Sequence, residues 1–169
     1  MKTEVSAPAD SAPLPAGRSR GLVFVKYWLP VLLLCAIIFG FSSDSGSGQR
    51  SSRIIGPILR WLMPGIDKAA EERVVVGVRK AAHVTEYAAL ALLVWRARRK
   101  PARGDTRPWN WREAGFALAF AALFAASDEL HQHFVPKREG KPADVLIDTV
   151  GALIGLLAMR AYGRWRGRW

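Results

Sequence analysis

Apolar residues gather into four blocks of similar length along the chain, at roughly 21–41, 74–95, 114–134 and 143–162. Each block is close to the ~20 residues that an α-helix needs to cross a bilayer. The first, GLVFVKYWLPVLLLCAIIFGF, carries one charge, Lys26, near enough to its beginning for the ammonium to reach the interface. The pattern predicts an all-α membrane protein, a bundle of four transmembrane helices.

A shorter apolar pattern lies in the first connection, after the Gly/Ser-rich stretch SSDSGSGQRSS. In RIIGPILRWLMPG, residues Ile54, Ile58 and Leu62 can share one helix face, with Arg53 at the level of lipid headgroups. This predicts a short interfacial helix that is interrupted or restarted at Pro57, because proline removes a helix hydrogen bond. The alternative is a loop segment packed on the outer end of the bundle.

The two ends of the chain differ from the bundle in composition. Residues 1–20 are rich in Pro, Ala and Ser and predict a disordered cytoplasmic leader. No Ala-x-Ala-like cleavage site follows the first apolar block, which favours an uncleaved anchor. The expected organisation is therefore a leader over 1–20, a membrane domain over 21–162 and a basic cytoplasmic tail over 163–169.

The net charge of +11 could suggest nucleic acid, but the basic residues lie at the ends of the apolar blocks. Fifteen lysines and arginines fall in the leader side, the second connection and the tail, against eight in the first and third connections. The positive-inside rule then predicts both termini on the cytoplasmic side of a bacterial inner membrane, with the bilayer and not nucleic acid as partner. Trp109, Trp111, Trp165 and Trp169 flank the cytoplasmic ends, as aromatic belt residues do.

This topology brings the ionisable residues of three spans to one depth near the outer surface. The second span contributes Lys80, His83, Glu86 and Tyr87, the third Asp128, Glu129, His131 and Gln132, and the fourth Asp144 and Asp148. Ionisable groups at membrane depth are costly unless they face a partner or water. We therefore expect them to line a common polar pocket.

Roles follow from the chemistry of the side chains. The acid–base candidates are His83, Glu86, Asp128, Glu129 and His131. The candidates for binding are Lys80, Tyr87, Gln132, Arg138, Asp144 and Asp148, where the Arg138 guanidinium can grip a carboxylate or an anionic substrate group with two hydrogen bonds. Two alternatives stay open. The pairs His83-x-x-Glu86 and Asp128-x-x-His131 could hold a divalent metal, or the charges could only tie helices together.

The segments KAAHVTEYAAL, DELHQHFVPKREGKPADVLID and GALIG, with FSS after the first span, resemble the VanZ-like family of small bacterial membrane proteins over about 22–162. The resemblance implies that the polar positions from Lys80 to Asp144 are characteristic of the family. The family usually has Asn where this chain has Asp148. Its namesake is associated with resistance to glycopeptide antibiotics (teicoplanin).

Three classes of function remain at this point. The first is a membrane protein of the cell envelope whose outward-facing pocket binds or modifies an anionic lipid- or glycan-linked ligand. The second is a proton- or ion-coupled carrier, and the third is a non-catalytic scaffold. No nucleophile motif or phosphate-binding loop is present in the sequence, so whether the protein is an enzyme stays open. We favour the first class.

Overall fold

The computed structural model describes residues 20–42, 47–102, 105–135 and 140–169. Within these ranges the chain forms five helices and no strand: α1 (Arg20–Ser42), α2 (Ser47–Leu62), α3 (Lys68–Arg99), α4 (Trp111–His133) and α5 (Pro142–Trp165). The all-α prediction is confirmed. Residues 1–19, for which a leader is predicted, and Arg138 lie outside the described residues.

The helix ends have local causes in the sequence. Asp67 caps α3, its carboxylate accepting the N–H of Ala70 at 2.7 Å. Lys100 ends α3 in a left-handed conformation (φ 47), and its N–H donates to the carbonyl of Arg96. Asn110 caps α4 through the N–H of Arg112, and Pro142 opens α5, where its missing N–H is not needed. With these two ends, α3 extends beyond the apolar block at 74–95 on both sides.

Helix α2 occupies the segment for which an interfacial helix is predicted. The expected break at Pro57 is wrong, because α2 continues through this residue. The proline removes only one helix hydrogen bond, and this loss does not end α2. The helix is also held to α3 by Arg60, whose guanidinium donates to both carboxylate oxygens of Glu71 at 2.7 and 2.9 Å. Several of its apolar side chains remain exposed, among them Ile54 and Trp61.

Helix α3 is the centre of the bundle, because it packs against each of the other four helices. Gly151 and Gly155 of α5 lie against Val84 and Ala88 of α3, so the two helices run parallel. A Cβ atom at Gly151 would stand 2.6 Å from the carbonyl oxygen of Val84. Glycine at this position therefore lets two backbones approach more closely than any side chain permits.

Two of the described helices are long and apolar enough to cross a membrane by length and composition, namely α1 over Gly21–Ser42 and α5 over Pro142–Trp165. A signal sequence or the core helix of a soluble protein can meet the same criterion, but a core helix is mostly buried. In the 18-residue apolar window of each helix, only 17% of α1 and 28% of α5 is buried. Their exposed side chains include Phe24, Leu33 and Leu153.

Candidate functional site

Asp128 of α4 is the centre of a buried hydrogen-bond network at one end of the bundle, which we call the polar end. Its Oδ2 accepts a hydrogen bond from Ser42 Oγ at 2.6 Å and another from Gln132 Nε2 at 2.9 Å. The same Gln132 amide lies 3.4 Å from Glu129 Oε1. The last turns of α1 and α4 are therefore joined through one carboxylate oxygen.

Helices α3 and α5 contribute two charge pairs at the same end. Lys80 Nζ lies 3.9 Å from Asp144 Oδ1, and His83 Nδ1 lies 3.6 Å from Asp148 Oδ1. The side chains of Lys80 and Asp144 are 54% and 34% exposed, that of His83 is 29% exposed, and that of Asp148 is 1% exposed. The pairs thus form a series from an open rim to a buried carboxylate.

Several polar atoms of the polar end are buried without a hydrogen-bond partner in the described part of the chain. They are Asp128 Oδ1, both carboxylate oxygens of Asp148, the hydroxyl of Tyr87 and Nδ1 of His83. Such atoms are rare in folded proteins, since leaving a buried polar group unsatisfied costs about 1–3 kcal/mol. Asp128, Asp148 and Tyr87 lie within electrostatic range of one another.

The return of the chain from α4 to α5 is fixed against Glu129. The backbone N–H of Lys141 donates to Glu129 Oε2 at 2.9 Å. Gly140 lies directly on the backbone carbonyl of Glu129, where a Cβ would collide. Glu129 therefore anchors the beginning of α5, which is a structural task for a residue that the sequence suggests as an acid–base group.

Not all predicted site residues join this cluster. The ring of His131 stacks on Phe39 of α1 with centroids 4.3 Å apart. Glu86 is half-buried on α3, within electrostatic range of His83 and Asp148. Arg138 is outside the described residues, and among those described no group of three His, Cys, Asp or Glu side chains is arranged to hold a metal ion.

Ser42 and Gly140 belong to the polar end but were not among the predicted site residues. Ser42 is 3% exposed and ends α1, so a hydroxyl at the close of an apolar block was its signal. Gly140 has no side chain that could mark it as a site residue in the sequence. Its role depends on the path of the connection, and the sequence pattern does not specify that path.

The opposite end of the bundle holds a second buried charge, which we call the tryptophan end. Arg99 is 4% exposed, and its guanidinium lies 5.5 Å from the ring of Trp95 and 5.3 Å from the ring of Trp169. Trp109 stacks on Trp95 with centroids 5.3 Å apart. Trp109 and Trp169 are partly buried against the core, whereas Trp111 and Trp165 are exposed.

Arg99 also organises the connection between α3 and α4. It donates to Asp105 Oδ2 at 3.1 Å and to the carbonyl of Pro108 at 3.0 Å. A hydrogen bond from Arg107, together with the nearby charge of Arg99, holds the pKa of Asp105 well below its usual range. The two ends of the bundle are therefore chemically distinct. At the polar end one oxygen of Asp128 and both of Asp148 lack a hydrogen-bond partner among the described residues, while Arg99 at the tryptophan end is paired with several acceptors.

No curated protein and no solved structure is detectably similar to the chain. A family model described as VanZ/LLP1 matches residues 27–163. The match spans all of α2, α3 and α4, residues 27–42 of α1 and residues 142–163 of α5, including every polar-end residue described above. The chain belongs to the VanZ/LLP1 family.

Proposed function

We propose that this protein is a multi-pass protein of the bacterial cytoplasmic membrane. In this arrangement α1, α3, α4 and α5 cross the bilayer, α2 lies at the outer interface, and both termini are cytoplasmic. Each of the four helices has at least 23 residues, about 35 Å at 1.5 Å per residue, which exceeds the ~30 Å hydrocarbon core. The apolar surface left exposed on α1 and α5 supports contact with lipid.

The proposed activity is binding of an anionic lipid- or glycan-linked ligand of the cell envelope at the polar end, which faces outward in this topology. One observation carries the proposal: the exposed pair of Lys80 and Asp144 lies beside the pair of His83 and Asp148, of which His83 is partly exposed and Asp148 is buried. The half-exposed ammonium of Lys80 can meet a phosphate at the surface. The buried oxygens of Asp128, Asp148 and Tyr87 accept hydrogen bonds from the rest of the headgroup.

Chemical modification of the ligand is a second candidate, favoured by His83 and Asp148. A carboxylate 3.6 Å from an imidazole nitrogen can orient the ring and stabilise its charged form, as an acid–base catalyst requires. The namesake of the VanZ-like family is associated with glycopeptide (teicoplanin) resistance, and we propose that this chain contributes to such resistance. On this view the ligand lies in the outer leaflet of the membrane.

The test is lipid binding by the purified full chain. Native mass spectrometry would count lipids retained from vesicles of phosphatidylethanolamine, phosphatidylglycerol and a polyprenyl phosphate. We expect saturable retention of a phosphate lipid that Lys80→Ala reduces about tenfold, since a charge-assisted hydrogen bond contributes about 1.5–3 kcal/mol. Lys68→Ala, a change of an exposed lysine at the start of the same helix, is the control. Equal retention by Lys80→Ala and wild type would contradict the proposal.

A further inference from the structure

The three buried acceptor groups of the polar end share one property: the donors around them are already used or too distant. Ser42 and Gln132 both donate to Oδ2 of Asp128 and leave Oδ1 without a partner. The imidazole of His83 is 3.6 Å from Asp148, which is too long for a hydrogen bond. The Tyr87 hydroxyl, in a residue with no exposed surface, has no acceptor or donor in the described ranges.

The polar end also contains five carboxyl groups of α3, α4 and α5. Lys80 Nζ lies 3.9 Å from Asp144 Oδ1, and His83 Nδ1 lies 3.6 Å from Asp148 Oδ1. The carboxyl groups are those of Glu86, Asp128, Glu129, Asp144 and Asp148. Asp128 Oδ1 and both carboxylate oxygens of Asp148 are buried without a hydrogen-bond partner, and a buried carboxylate is stabilised by a cationic donor. That group must also offer several hydrogens to satisfy three acceptor residues.

A compact divalent cation fits these observations poorly. Such an ion needs its oxygen ligands gathered around one point, and no three acidic or histidine side chains are so gathered in the described part of the chain. A primary ammonium group differs, because it carries one charge and three N–H donors that point in different directions. It can bridge acceptors on separate helices without drawing them together.

Resting on the proposed function, we propose that the ligand's headgroup carries a protonated primary amine as well as its phosphate. The phosphate lies at the rim beside Lys80, and the ammonium passes His83 to reach the unpartnered oxygens of Asp148, Asp128 and Tyr87. The order of exposure along α3 and α5, from Lys80 through His83 to Asp148, matches a headgroup that is anionic toward water and cationic inside. Phosphoethanolamine has this arrangement of charges.

The test compares three phospholipids with identical acyl chains on the purified full chain, by competition in native mass spectrometry. Phosphatidylethanolamine supplies phosphate and a primary ammonium. Phosphatidylglycerol supplies phosphate and hydroxyl donors without the positive charge, and phosphatidylcholine supplies the charge without N–H donors. We expect phosphatidylethanolamine to be retained about tenfold or more over either of the others, because hydrogen bonds to a buried charge contribute most.

A charge-removing variant locates the preference. Asp148→Asn keeps the size of the side chain and should bring the three lipids to within about twofold of one another, as expected when one charge-assisted contact is lost. Glu72→Gln, at an exposed position near the start of α3, should leave the preference unchanged. Should Asp148→Asn not fold, the comparison of the three lipids on the wild-type protein still decides the question.

The outcomes separate this inference from the proposed function. Saturable, Lys80-dependent retention with no preference for the primary amine would overturn the inference and leave the proposed function standing. Retention that is neither saturable nor dependent on Lys80, for all three lipids, would overturn both. A preference for the amine that Asp148→Asn and Glu72→Gln leave equally intact would also overturn the inference, because the amine would then bind elsewhere.

Discussion

Two buried tyrosines of the bundle differ in what their hydroxyl groups do. Tyr27 donates to the carbonyl of Pro101 at 2.9 Å and so ties α1 to the connection after α3. Tyr87 has no exposed surface, and its hydroxyl has no partner among the described residues. A phenylalanine would fill the space of Tyr87 without that penalty. The retained hydroxyl is therefore a cost to folding, which suits a ligand contact better than a role in packing.

We expect opposite effects from removing the two hydroxyls. Tyr87→Phe should raise the free energy of unfolding by about 1 kcal/mol, since it removes an unsatisfied buried group. Tyr27→Phe should lower it by about 1 kcal/mol, because the carbonyl of Pro101 loses its donor. Thermal unfolding of the purified variants in one detergent measures both. A loss of stability in Tyr87→Phe as large as that in Tyr27→Phe would show that the Tyr87 hydroxyl has a structural partner.

At this scale the sequence predicts contacts within a helix better than contacts between helices. The i, i+4 spacing of Asp128 and Gln132 places them on one face of α4, and they do form a hydrogen bond at 2.9 Å. The partner of Asp128 on α1, Ser42, depends on how α1 is rotated and how far it extends. Helical periodicity fixes neither quantity for a helix that is apolar on all sides.

At the scale of elements, the contact between α3 and α5 depends on small residues. Gly151 and Gly155 form a smooth seam, and they bring Asp148 of the same helix beside His83. The glycine spacing predicts that a close approach exists. It does not identify α3 as the partner, because the alanine-rich face of α4 could equally accept such a seam.

Gly151→Ala should therefore disturb the site as well as the packing. The added Cβ would stand 2.6 Å from the carbonyl of Val84, and forced overpacking of this kind costs about 1–3 kcal/mol. Gly115→Ala in α4 is the matched control, since nothing lies within 4 Å of a Cβ there. It should be neutral or raise stability by up to about 1 kcal/mol, as glycine is a poor helix former.

Thermal unfolding and lipid retention together test this prediction. Gly151→Ala should lower the unfolding temperature and also reduce ligand retention, because separating α3 from α5 moves Asp148 away from His83. Unfolding temperatures of Gly151→Ala and Gly115→Ala that agree within error would mean that α3 and α5 are less tightly packed than the described contact implies.

For the whole molecule, the hydrophobic pattern predicts the number and order of the long helices, but not which of them cross a membrane. The polar residues of α3 and α4 lower the mean hydropathy of these two helices. Among the described helices, only α1 and α5 are therefore both long enough and apolar enough to count as candidate membrane spans. The fold answers part of this problem. It pairs the charges of α3 with those of α5 instead of leaving them toward lipid, and such pairing makes a polar membrane helix tolerable.

Cysteine labelling in intact cells distinguishes four spans from two. In a Cys35→Ser background, Met63→Cys lies in the turn after α2 and His133→Cys in the exposed last turn of α4, both at the polar end. Thr106→Cys lies in the connection between α3 and α4, at the tryptophan end.

If four helices cross, a membrane-impermeant maleimide should modify the first two in intact cells and reach Thr106→Cys only after permeabilisation. If only α1 and α5 cross, α3 must separate from α5 and remain with α4 on the outer side, so that Thr106→Cys reacts as readily as the others. The excess of lysine and arginine at the tryptophan end favours the first result, since basic connections stay in the cytoplasm. Labelling of Thr106→Cys in intact cells would therefore refute the four-span topology.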